Sequence, residues 1–154
     1  MKPYRRILTL IDFDREGESV ARRALQLARL NDARLAFLHL AGTDATLDGG
    51  YPAASPRAEA AAIADAARRR LNHLATCLGA TAAECQAGCG PQRQLYREAL
   101  RAWQPDLIIA ARDYPFLVGP HDLLILGRRD SSVGGKLLRQ LVRLLGVPAR
   151  LSTR

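Results

Sequence analysis

Apolar runs that end in polar residues alternate with stretches of helical periodicity along most of this chain. Residues 6–12 and 34–40 are nearly continuous apolar runs, the pattern of strands buried on both faces of a parallel sheet. Between them, residues 14–28 place apolar side chains at helical spacing, with arginines on the other side. Because strand, helix and strand follow one another with short joins, the pattern predicts a right-handed βαβ unit.

The rest of the chain continues this alternation. Residues 41–55 are rich in Gly, Thr, Asp and Pro and predict a loop. Ser55 and Pro56 then combine a capping serine with a proline at the first helical position, and they predict a long helix that ends at Gly79. The further predicted elements are a short edge strand at 83–87, a helix that ends before Pro105, a strand at 106–111, a helix at 134–145 and a half-polar strand at 148–152. This order predicts a single α/β domain over residues 1–154.

One segment, residues 112–133, is predicted to be an insertion after the fourth strand. Two similar phrases, DLIIAAR from Asp106 and DLLILGR from Asp122, lie sixteen positions apart. Either they pair as an antiparallel hairpin, or one is the core strand and the other an excursion over the sheet edge or a partner subunit. Roughly ten residues separate them, too few for a normal helical crossover between parallel neighbours. Residues 114–118 are unusually apolar for a loop, and they are expected either to cover the crevice at the strands' carboxyl ends or to form an interface.

Composition and charge narrow the function classes. The net charge is +8, and only two of the 23 basic residues are lysines. The arginines are scattered over predicted outer helix faces, so nucleic acid is not the expected partner. The apolar runs are far shorter than the roughly 20 residues of a membrane span, and the N-terminus lacks a signal-peptide pattern, so we expect a cytoplasmic protein without a membrane partner. Neither the three cysteines nor the three histidines have a metal-site spacing, and no catalytic motif is present, so no metal and no catalytic residue is predicted.

Several short motifs occur in a characteristic order. They are the strand 6–12 ending in Asp12, the strand ending in His39 and Leu40, Gly88-x-Gly90 before the third helix, Pro105-Asp106 at the fourth strand, and Val147-Pro148 before the last strand. With this order and spacing, the chain resembles the universal stress protein family. The resemblance implies a three-layer sandwich with a five-stranded, mainly parallel sheet between helices, and it also implies a homodimer. One branch of the family binds ATP through G-x2-G-x9-G-S/T after strand four, whereas the UspA-like branch lacks that pattern.

The ATP pattern is degraded in this chain. Counted from DLIIAAR, the two leading glycine positions hold no glycine, and Asp113 places a negative charge where phosphates would lie. Counted from DLLILGR, Gly127 matches the first glycine, but Asp130 occupies the second position. Near the end of the pattern, Gly135 matches the last glycine and Lys136 replaces the Ser or Thr. The chain therefore resembles the non-ATP branch more closely.

Two groups of residues are candidates for a cofactor site. The resemblance places Asp12 and Leu40 near a nucleotide, although Asp12 could equally cap the turn that follows it. The turn before the last predicted helix could hold an anion through backbone N–H groups and cationic side chains, or its serines could cap the helix while its arginines are solvated. The candidates are Asp12, Leu40, Gly127, Arg128, Arg129, Gly134, Gly135 and Lys136.

These observations favour a universal-stress-type regulatory binding module over an enzyme. No cofactor is expected, and ATP is the alternative, in a nucleotide-binding protein with weak or no ATPase activity. A basic nucleic-acid-binding module is the second alternative. The expected partners are a second copy of the chain and a protein partner. The polar last strand, however, argues against dimerisation through that strand.

Overall fold

A computed structural model describes residues 3–44 and 55–126 of the chain. Its elements, in chain order, are β1 (Arg6–Leu10), α1 (Gly17–Asn31), β2 (Arg34–Ala41), α2 (Pro56–Cys77), β3 (Glu84–Cys89), α3 (Gln92–Trp103), β4 (Leu107–Ala110) and β5 (Asp122–Ile125). In these two segments, no helix is both long and apolar enough to cross a membrane. The predicted helix at 134–145 and strand at 148–152 lie outside the described residues.

The five strands form one sheet in the order β3-β2-β1-β4-β5, and every pair is parallel. The predicted α/β fold is therefore confirmed, and the sheet is wholly parallel in the described segments. The predicted edge strand is also confirmed, and it extends to Cys89 because Gly88 and Cys89 pair with Leu40 and Ala41 of β2.

Both similar phrases form strands of this sheet. Leu107–Ala110 pairs with β1 and also with Asp122–Ile125, in parallel register. Neither an antiparallel hairpin nor an excursion of one phrase is correct, because the connection 111–121 crosses between parallel neighbours without a helix. Residues 122–125, predicted to belong to an insertion, are therefore the fifth strand of the described sheet.

The sheet is buried on both faces by alternating side chains of its strands. Ile7 and Ile109 face α1 and α2, whereas Leu8 and Ile108 face α3. All four residues have no exposed surface, as expected when helices cover both faces of a parallel sheet. Leu117, on the connection 111–121, packs on the α3 face. This connection thus covers a part of the sheet that a crossover helix would normally cover.

Candidate functional site at the strand ends

The carboxyl ends of β1 and β4 lie side by side in the centre of the sheet. From β1 the chain continues to β2 on one side, and from β4 it continues to β5 on the other. Open α/β sheets bind ligands at such a reversal of strand order. The residues that follow the two strands here, 12–14 and 112–114, are therefore the candidate site.

A cation from the end of β4 holds two carboxylates from the end of β1. Arg112 Nη2 lies 2.7 Å from Asp14 Oδ2 and 3.5 Å from Asp12 Oδ2. The Arg112 side chain is 54% exposed and the two carboxylates are 31% and 39% exposed, so these ion pairs are partly screened by water. Their main effect is to fix the positions of the two strand ends relative to each other.

Tyr114 completes this cluster from the connection 111–121. Its hydroxyl donates a short hydrogen bond to Asp12 Oδ2. Burial and this hydrogen bond raise the pKa of Tyr114 well above its usual value, so the phenol keeps its proton and remains the donor. The ring stacks on Phe116 at a centroid distance of 5.1 Å, and Phe116 in turn lies 5.2 Å from the ring of Tyr96 on α3. The rings of Tyr114, Phe116 and Tyr96 therefore pack in a row that holds the Tyr114 hydroxyl beside Asp12.

The turn from β1 into α1 is capped by Asp14. Asp14 Oδ1 accepts hydrogen bonds from the backbone N–H groups of Glu16 at 2.9 Å and Gly17 at 3.0 Å. The capping role considered for Asp12 thus belongs to Asp14. Gly17 is buried at the start of α1, where a Cβ atom would overlap the carbonyl oxygen of Asp12. This close approach of backbone to backbone requires glycine and places α1 directly against the site.

Leu40 and His39 mark the same edge of the sheet on β2. The Leu40 side chain is buried in the core on the α3 side, and its carbonyl oxygen accepts a hydrogen bond of 2.8 Å from Gln92 Nε2. His39 Nδ1 lies 2.8 Å from the carbonyl oxygen of Ile11, and its ring is 4.3 Å from that of Phe13. These contacts tie the end of β2 to the end of β1.

Of the predicted cofactor-binding residues, the structure describes two. Asp12 and Leu40 lie at the ends of neighbouring strands, because their preceding residues Leu10 and Leu38 pair in register. The other six lie outside the described residues: Gly127, Arg128, Arg129, Gly134, Gly135 and Lys136.

Three residues of the cluster, Asp14, Arg112 and Tyr114, were not predicted as site residues. Arg112 and Tyr114 both contact Asp12 although each is about a hundred positions away in sequence. The available signal was position alone, since Arg112 follows a buried strand just as Asp12 does. Arg112 and Asp12 should therefore lie at the same edge of a parallel sheet.

The cluster satisfies its own polar groups but keeps one net negative charge, because two carboxylates face one guanidinium and a neutral phenol. Two carboxylates meet one guanidinium and one phenol, and each of these partners donates to an oxygen of Asp12 or Asp14. Within residues 3–44 and 55–126, no group of His, Cys, Asp and Glu side chains could hold a metal ion. As arranged, the cluster joins the strand ends and engages the Asp12 carboxylate, whose side chain stays 31% exposed.

Comparison with known proteins places this arrangement in a family. The model of the universal stress protein family matches residues 3–113, which is most of the chain. No curated protein sequence matches the chain.

Several solved structures share the fold. The universal stress protein UspA from Lactobacillus plantarum is 21% identical, with a TM-score of 0.53 over 80% of this chain and 97% of that one. A universal stress family protein from Burkholderia pseudomallei is 22% identical, with a TM-score of 0.51 over 90% of each chain. A universal stress protein in complex with cAMP is 20% identical, with a TM-score of 0.52 over 81% of this chain and 98% of that one. The family match and the shared fold together show that this chain belongs to the universal stress protein family.

Proposed function

We propose that this protein is a stress-response regulatory module whose activity does not depend on ATP. Family membership supports the stress-response role. The observation that supports independence from ATP is the hydrogen bond from Tyr114 to Asp12. The carboxylate at the family's aspartate position is engaged by the chain itself, at the sheet edge where a ligand would enter.

The connection 111–121 supports this proposal by its packing. Leu117 is only 8% exposed, and Tyr114 and Phe116 pack against the same core on the α3 side. To open the crevice, a nucleotide would have to displace this apolar surface and also break the hydrogen bond to Asp12. Such displacement costs binding free energy that an open crevice does not demand.

The residues around the end of β4 further disfavour phosphate. Counted from DLIIAAR, Ala110 and Asp113 occupy the two leading glycine positions of the family's G-x2-G pattern. Ala110 is buried, and Asp113 adds a carboxylate. Phosphate sites require close approach of backbone N–H groups and a positive local potential. The remaining cation, Arg112, is already bound to Asp14.

Calorimetric titration with nucleotides tests this proposal. ATP with Mg²⁺, ADP and cAMP are each titrated into the full chain up to millimolar concentration, and we expect no saturable heat. The same titrations are carried out with Tyr114→Ala and Tyr114→Phe, and the heats of binding are compared with those of the unaltered chain. Saturable ATP binding by the unaltered chain would contradict the proposal.

A nucleotide-binding function is the second candidate, and one observation favours it. Arg112 is a half-exposed cation at the switch point of the sheet, and a related fold is known in complex with cAMP. This function requires Arg112 to exchange Asp14 for a phosphate. It predicts that Arg112→Ala abolishes cAMP or ATP binding, whereas Arg101→Ala, an exposed arginine in the last turn of α3, leaves it unchanged. Absence of binding in the unaltered chain removes this candidate.

A further inference from the structure

A cleft that adjoins the strand-end cluster, and shares Asp12 and Asp14 with it, lies between the start of α1 and the middle of α2. It has a volume of about 650 Å³, which is within the range of small-molecule sites. Its walls come from α1, α2 and the residues just after β1. The cleft therefore opens on the α1–α2 side of the sheet, whereas Tyr114 and the connection 111–121 pack on the α3 side.

The floor of the cleft is apolar. Ile11 and Phe13 line it from the end of β1, and Ala66, Leu74 and Leu78 line it from α2 and the residue that follows. Ile11 is 2% exposed, while the other four are half-buried. Half-buried apolar side chains around one concavity offer a surface that an apolar ligand can cover.

The carboxylates of the cleft already have partners. Each has a cation or a phenol in contact: Asp12 with Tyr114, Asp14 with Arg112 and Glu18 with Arg22. Arg22 thus balances Glu18, whereas Asp12 and Asp14 share the one charge of Arg112 and leave one net negative charge beside the cleft.

Two arginines of α2 contribute positive charge to the rim. Arg69 and Arg70 line the cleft, are exposed, and form no ion pair with any carboxylate of residues 3–44 and 55–126. Their neighbour Arg68 points elsewhere and pairs with Asp65 at 2.8 Å. The Arg70 guanidinium lies 4.0 Å from the ring centroid of Phe13, so the cation and the apolar floor meet at one place.

We propose that this cleft binds an amphipathic anion, a small molecule with one carboxylate or phosphate head on an apolar body. Arg69 and Arg70 bind the head, since guanidinium groups match both oxyanions in bidentate geometry. The apolar body covers Phe13, Leu74 and Leu78. The proposal does not rest on the proposed function, because the residues that bind the ligand belong to the α1–α2 side, although the cleft shares Asp12 and Asp14 with the strand-end cluster.

Calorimetric titration with octyl phosphate and with octanoate, both below their micelle concentrations, tests the site. Two control ligands are titrated in the same way. Inorganic phosphate lacks the apolar body, and octanol lacks the anionic head. We expect saturable binding of at least one amphipathic anion, and at least about tenfold weaker binding of inorganic phosphate and of octanol. Comparison of octyl phosphate with octanoate identifies the preferred head.

Matched variants locate the binding to this cleft. The double variant Arg69→Gln with Arg70→Gln should weaken binding at least about tenfold, since each removes charge-assisted hydrogen bonds. The control is Arg57→Gln with Arg68→Gln, which removes the same charge from exposed positions of the same helix outside the cleft and should leave binding unchanged. Ala66→Phe should also weaken binding, because it fills the cleft without altering charge.

Cys77 supplies an independent footprint. It is exposed at the rim of the cleft, whereas Cys85 and Cys89 lie on β3 away from it. Bound ligand should slow alkylation of Cys77 by iodoacetamide, followed peptide by peptide, without slowing that of Cys85 or Cys89. The proposal is overturned if no amphipathic anion binds, if both double variants bind alike, or if Cys77 is not protected at saturation.

Discussion

Removal of one hydroxyl group tests whether Tyr114 holds the strand ends together. Tyr114→Phe deletes the donor to Asp12 but keeps the ring that stacks on Phe116. A hydrogen bond to a charged group contributes about 1.5–3 kcal/mol when it is fully shielded from solvent. The Asp12 side chain is 31% exposed and Arg112 remains 3.5 Å away, so water and the guanidinium partly replace the phenol. We therefore expect a loss of about 1 kcal/mol in the free energy of unfolding.

The assay is urea unfolding followed by circular dichroism, together with calorimetric melting. For a chain of this size, 1 kcal/mol corresponds to a decrease of roughly 2–4 °C in Tm. The matched control is Tyr4→Phe, which removes a phenol hydrogen bond of 2.7 Å to the exposed Asp122 carboxylate and should cost less than about 0.5 kcal/mol.

A double-mutant cycle isolates the interaction itself. Tyr114→Phe combined with Asp12→Ala should show a coupling energy of about 1 kcal/mol, because each single change removes the same hydrogen bond. Strictly additive effects, or a cost for Tyr114→Phe no larger than that for Tyr4→Phe, would refute the reasoning.

Three further substitutions test other parts of the fold. Gly17→Ala should destabilise the protein by about 1–3 kcal/mol in urea unfolding, because its Cβ would overlap the Asp12 carbonyl oxygen, although alanine is the better helix former. Burial lowers the pKa of His121, whose Nε2 lies 3.1 Å from Tyr96 Oη, so its contribution to stability is present above pH 6.5 and is lost as pH falls through the lowered folded-state pKa. His121→Gln should therefore flatten the dependence of unfolding free energy on pH in that acidic range. Ser55→Ala should cost about 1 kcal/mol, since it removes the hydrogen bond that caps α2.

Each of these has an outcome that contradicts it. For Gly17→Ala, it is a stability equal to that of the unaltered chain. For His121→Gln, it is a stability that keeps the same dependence on pH below 6.5. For Ser55→Ala, the matched control is Ser19→Ala at an exposed position in the first turn of α1, and equal stability of the two variants would remove the capping role.

The local pattern of apolar, polar and capping residues was sufficient to predict most of the described fold. Apolar runs predicted β1, β2 and β4, and the Ser55-Pro56 pair predicted the start of α2 because capping chemistry is local. The position of Asp122–Ile125 in the sheet was not predictable in the same way. Its side chains resemble those of β4, and the short connection without a helix argued against the parallel pairing that the structure has.

The site was predictable only in part, for a physical reason. The end of an apolar run marked Asp12 and Leu40 as strand-end residues. The partners of Asp12 depend on strand order, since Tyr114 reaches it from 102 positions away. Periodicity carries no information about such contacts. The side-chain pairing that engages Asp12 therefore emerges only when β1 and β4 are known to be neighbours.

We propose that contacts from Tyr114 and Arg112 engage the Asp12 carboxylate, so that ATP is not the ligand of this chain. The most direct measurement is a calorimetric titration of ATP with Mg²⁺ into the full chain at neutral pH, repeated with Asp12→Asn. We expect no saturable heat up to millimolar ATP with either protein. Saturable binding by the unaltered chain that is lost in Asp12→Asn would contradict it.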